Sequence, residues 1–161
     1  MINLFRILHV FFASMTIALF PIGIFIMGRI KKSRGTAAEL SLMQTMMLIG
    51  KTIGMIGGLG ILVFGGALTG VEHYAWFSFS EFPWLAWKQT IFVLILIVNF
   101  AFVMPASKKL GPKIGQLMAT GGASGATDEI RAEFGKIGRF AIIMNLLTLT
   151  AMTLGVSKGV F

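Results

Sequence analysis

Four apolar stretches, each about as long as a bilayer is thick, occupy most of this chain and limit it to a helical membrane bundle. Between Ile7 and Met27 the only ionisable side chain is His9, and Phe140 to Ser157 has none. Thr52 to Leu68 and Trp84 to Met104 are bordered or interrupted only by Lys51 and Lys88. An α-helix needs about 20 apolar residues to cross a hydrocarbon core roughly 30 Å thick, and helices satisfy their own backbone hydrogen bonds inside lipid. The expected fold is therefore all-α: a polytopic four-helix transmembrane bundle forming one domain over residues 1–161. Its spans are placed at about 7–27, 50–70, 84–104 and 140–157, with a flexible cytoplasmic connection over about 105–127.

Composition agrees with this placement. A chain of 161 residues that is 56% hydrophobic, with mean hydropathy +0.86, carries more apolar surface than a soluble domain of its size could bury. The absence of cysteine excludes disulfides, thiolate metal sites and thiol catalysis. The first apolar run is too long for a signal-peptide core and lacks a small-residue cleavage site, so it reads as a retained helix. The net charge of +8 does not form a nucleic-acid face, because the charges lie between the spans. Arg29, Lys31, Lys32 and Arg34 follow the first span; Lys108, Lys109, Lys113, Arg131, Lys136 and Arg139 separate the third from the fourth. The second connection carries Glu72 and Glu81 instead. The positive-inside bias then puts the first and third connections in the cytoplasm, in contact with anionic lipid, and both termini on the outer side.

Span two can be followed from about Leu40 to Gly70, so its first turns are expected to project beyond the bilayer, with Lys51 snorkelling at the inner interface. Gly50, Gly54 and Gly58 form two small-xxx-small steps, and Gly57, Gly60, Gly65 and Gly66 add further bare backbone. The stripe reads as a helix-packing face, with a slot for a flat cofactor as the sharper alternative. Pro21 predicts a kink in span one. Pro105, Pro112 and the run Gly121, Gly122, Gly125 predict a flexible connection, after which Thr127 is placed to cap a helix whose first turn holds Asp128 and Glu129. Gly50-Lys51-Thr52 imitates the end of a phosphate-binding loop, but Thr45 occupies the place of the first glycine and the segment is apolar helix, so nucleotide binding is rejected.

Polar chemistry concentrates toward the outer side: His9, Glu72, His73, Glu81, Lys88 and Lys158, with Trp76, Trp84 and Trp87 as an interfacial belt. A metal cluster of His73, Glu72 and Glu81 has no diagnostic spacing. His9 is distinctive because an ionisable group in a membrane helix calls for a partner or a function. Lys88 and Asn99 fall about 20° apart around span three and roughly 16 Å apart along it, giving a polar stripe. Asn145 and Thr148 make a similar stripe on span four, suited to hydrogen bonds between helices.

The run Leu8-His9-Val10-Phe11-Phe12, the run Trp84-Leu85-Ala86-Trp87-Lys88 and the closing Val156-Ser157-Lys158-Gly159-Val160-Phe161 resemble small bacterial four-helix membrane proteins related to HemJ-type protoporphyrinogen oxidase and to the CopD copper-resistance membrane domain. The resemblance implies a protein of the bacterial inner membrane, haem b as cofactor, and tetrapyrrole oxidation or cytochrome-like electron transfer. His9 and Lys88 match its first-helix histidine and third-helix lysine; Asn99 stands where the pattern has a later histidine. His9 is then the metal ligand, Lys88 and Asn99 line the cofactor site, and the Met152 thioether is the candidate second ligand. The opposing expectation is a non-catalytic accessory subunit whose glycine face packs in a larger membrane complex or homo-oligomer. Copper handling through Met43 and Met47, four residues apart, is a further alternative.

Overall fold

The computed structural model describes residues 2–121 and 125–156. Its helices are α1 (Ile2–Lys32), α2 (Ala37–Val71), α3 (Pro83–Val98), α4 (Met104–Ala119) and α5 (Asp128–Val156), with a π-helical turn, Asn99–Val103, joining α3 directly to α4. Four helical rods result, each long and apolar enough to cross a membrane: α1, α2, the continuous Pro83–Ala119 rod and α5.

The third rod corrects the expected loop. Residues 105–119 are helical, not a flexible connection. Proline lacks an N–H and crowds the carbonyl four residues back, and the π turn ahead of Pro105 relaxes that conflict by shifting the hydrogen-bond ladder, so that Met104 donates to the carbonyl of Asn99. Pro112 is carried within α4 because Leu110 and Ile114 beside it are fully buried. Gly121, with φ of 96°, turns the chain after α4. The restart is as expected: the Thr127 hydroxyl accepts the N–H of Ile130 at 3.3 Å, and α5 runs unbroken from this cap into the last apolar stretch.

A helix of 35 residues is about 52 Å long, well beyond a hydrocarbon core of roughly 30 Å. At the end carrying the basic connections, Ile26, Ile30, Leu40, Met43, Leu110, Ile114, Ala126, Ile130 and Phe134 form the hydrophobic core. The location has a physical reason. Helix ends projecting into water are driven together by burial of apolar surface, whereas inside lipid that drive is absent.

An ionic clasp closes the same end. Glu39, 1% exposed, accepts from Arg131 Nε at 2.7 Å and from Arg131 Nη2 at 2.8 Å, and its second oxygen also accepts the backbone N–H groups of Gly35 and Ala126. Arg131 in turn bonds Asp128, which meets Arg34. Lys113 bridges α4 to Glu129 and Glu133 of α5.

Away from this end the bundle divides into two pairs, α1 along α2 and α3 along α5. Phe12 of α1 lies on the bare backbone of Gly60 and stacks on Phe64 with ring centroids 5.6 Å apart; Thr16 sits on Gly57. Within the chain, the stripe Gly50, Gly54 and Gly58 does not carry the tight α1 contacts. A Cβ on Gly54 would meet only Leu19, at 3.8 Å, and one on Gly50 or Gly58 would meet nothing within 4 Å among the described residues. The close contacts belong to Gly57, Gly60 and Gly65. Thr148 also departs from expectation, since its hydroxyl donates to the Met144 carbonyl of its own helix.

Candidate functional site

Because the two pairs converge at the basic end and part above it, they leave a cleft of about 1950 Å³ between them. The glycine stripe Gly50, Gly54 and Gly58, displaced from the α1 interface, lines this cleft. So do His9, Lys88, Asn99 and Met152, along with Asn145 and Thr148. All four sequence-derived site residues thus face one space, but at different depths.

His9 sits on the α1–α2 wall. Its ring packs on Gly65, with Cε1 2.9 Å and Nδ1 3.2 Å from where a Cβ would stand, and Nε2 turned further away at 4.0 Å. Nδ1 is buried and has no hydrogen-bond partner among the described residues. A ring nitrogen without a partner in a membrane helix is a feature that calls for a ligand or a proton partner.

Lys88 is on the opposite wall. Its ammonium lies over the Trp84 ring at 5.8 Å from the centroid, and Nζ fits a notch left by Gly155, 2.9 Å from a Cβ placed there. Met152 is one turn from Gly155 on α5, so His9, Lys88 and Met152 share the end away from the basic connections. Asn99 lies roughly 16 Å deeper, at the start of the π turn, a local geometry that recurs at functional sites.

The segment after α2 lines the mouth with Glu72, Tyr74, Trp76 and Phe77. Arg6 Nε donates to Glu72 at 3.0 Å, and Glu72 also accepts the Tyr74 hydroxyl, which holds that phenol above its usual pKa. Tyr74 meets Phe82 and Trp84 edge-on, and the Phe77 N–H donates to Gln89 at 2.6 Å. His73 and Phe77 adopt left-handed backbone angles, φ 56° and 53°, and for a residue as bulky as Phe that conformation is strained.

Other candidates are not assembled. Among the described residues no three His, Asp or Glu side chains group to hold a metal, so Glu72, His73 and Glu81 form no such centre. Met43 is a core side chain at 2% exposure, and the Met47 methyl packs against Gly111. Lys158 lies outside the described residues. Glu39 was not singled out from the sequence, although Thr36 and Glu39 have the spacing of a helix capping box. The carboxylate bypasses Thr36 and reaches Gly35, Ala126 and Arg131, partners that only the tertiary fold supplies.

No protein-family model matches the sequence, and neither a curated protein nor a solved structure matches it. The fold and the cleft define the class: a four-span helical bundle suited to a bilayer, with a cleft between two helix pairs.

Proposed function

We propose that this chain is a haem-binding protein of the bacterial inner membrane, acting in tetrapyrrole oxidation or as a small cytochrome-like electron carrier, with its termini outside and its basic end in the cytoplasm. The observation that carries the reading is His9: a half-buried imidazole in a membrane helix, packed on Gly65, lining the cleft, and with its Nδ1 left without a partner among the described residues. The surrounding residues fit a flat, dianionic macrocycle. The bare backbone of Gly54 and Gly58 admits a plane close to α2, Lys88 supplies a cation for a propionate, and Met152 offers a soft thioether. Haem, when bound, supplies a one-electron couple. His9 would hold the metal, Gly65 fixes the ring plane of His9, and Tyr74 and Trp84, in edge-on contact, give the mouth an apolar lining.

Haemin titration of the purified protein in detergent tests the assignment. Saturation at one equivalent with a shifted Soret band is expected for the wild type, loss of that band for His9→Ala, and weakened binding with the band retained for Lys88→Met. Equal binding by wild type and His9→Ala would remove His9 from the site.

A further inference from the structure

The basic end of the cleft carries a second arrangement, independent of His9. The Met47 methyl of α2 lies 3.8 Å from where a Cβ on Gly111 of α4 would stand, which fixes the two helices against each other at one depth. Lys51 is four residues beyond Met47, roughly 6 Å further out along α2. Lys108 is three residues before Gly111 on a helix running the other way, so it too is displaced outward, by roughly 4.5 Å. Each stays on the helix face that carries the contact, and both line the cleft. Two lysines therefore flank the same groove at nearly the same depth along their helices. Neither has an ion-pair partner among the described residues, while Glu39, Asp128, Glu129 and Glu133 at this end are already engaged by Arg131, Arg34 and Lys113.

Outward of the lysines the groove becomes apolar. Met55, Leu59 and Leu62 continue the Lys51 face of α2, and Phe100 and Met104 stand across from them. Met55, Leu59, Leu62 and Phe100 are each about half exposed, and α2 and α3 form no packed interface to cover them. A slot with two unpaired cations at one end and open hydrocarbon walls above matches one molecule in a membrane: a phospholipid lying parallel to the helices.

We propose that the groove between α2 and the α3–α4 rod is a binding site for one anionic phospholipid, its phosphate between Lys51 and Lys108 and its acyl chains along Met55, Leu59 and Phe100. Charge complementarity selects an anionic headgroup over a zwitterionic one, because the one carboxylate among the described cleft-lining residues, Glu72, lies at the opposite end and cannot hold a choline beside the lysines. The apolar walls select a lipid over free phosphate.

Native mass spectrometry of the full-length protein released from detergent tests this, with dioleoylphosphatidylglycerol and dioleoylphosphatidylcholine supplied in equal amounts. One retained phosphatidylglycerol per chain is expected, preferred by roughly thirtyfold if each lysine contributes as basic residues at an anionic membrane surface do. Lys51→Gln with Lys108→Gln should abolish the preference, Lys51→Arg with Lys108→Arg should keep it, and Lys32→Gln with Lys109→Gln should leave it largely intact. Equal retention of the two lipids by the wild type, an undiminished preference in the glutamine variant, or a lipid-free dimer would overturn the proposal. Displacement of phosphatidylglycerol by millimolar inorganic phosphate would also overturn it, by assigning the lysines to a soluble anion.

Discussion

At Gly125 two constraints meet. Its φ of 71° is unfavourable for any side chain, and a Cβ would stand 2.7 Å from the backbone of Gly35 and Thr36 and 2.9 Å from Glu39 Oε2. Gly125→Ala should therefore cost more than the roughly 1–3 kcal/mol of left-handed strain alone, since it also pushes on the buried Glu39–Arg131 pair. Gly121, with φ of 96° and nothing near its missing Cβ, isolates the strain term. Thermal unfolding in detergent should rank Gly125→Ala well below Gly121→Ala, and the reverse order would contradict the described clasp. Tyr74 offers a second test, being the only tyrosine in the chain. Its hydrogen bond to Glu72 favours the protonated phenol, so the ultraviolet titration midpoint should lie above 10, and Glu72→Gln should bring it down. Because the folded pKa is raised, the associated stability is fully present below the unfolded value near 10 and is lost as pH rises through the folded value.

Helix α2 holds two glycine faces with different tasks. Spacing alone exposed Gly50, Gly54 and Gly58 as a stripe, but whether a stripe meets a neighbouring helix or an open space depends on how the partner approaches, and that is set by Phe12 and Thr16 of α1. Gly60→Leu should separate α1 from α2 and lower the yield of folded protein, whereas Gly58→Leu should leave folding near wild type and weaken haemin binding by crowding the cleft. Size-exclusion profiles and haemin titration together distinguish the two. The α3–α4 rod carries the converse lesson. Prolines and glycines signalled a connection because helix propensity is local, yet the π turn absorbs Pro105, and burial of Leu110 and Ile114 holds the helix past Pro112. Thr127 was legible because a cap and its first turn are local chemistry.

For the whole molecule, the four apolar rods could be read from sequence, since span length is dictated by bilayer thickness. The divergence of the two helix pairs could not, because it follows from a core confined to the basic end and from contacts distant in sequence, Glu39 with Arg131 above all. That divergence brings His9 and Lys88, separated by 79 positions in the chain, to facing walls of one cleft. The central claim is that this cleft holds haem through His9. The most direct measurement is the absorption spectrum of the protein purified from a membrane supplied with haem, oxidised and then dithionite-reduced, with the pyridine haemochrome quantified. The account predicts one b-type haem per chain, with a Soret band that shifts on reduction; a protein that is colourless in both states would contradict it.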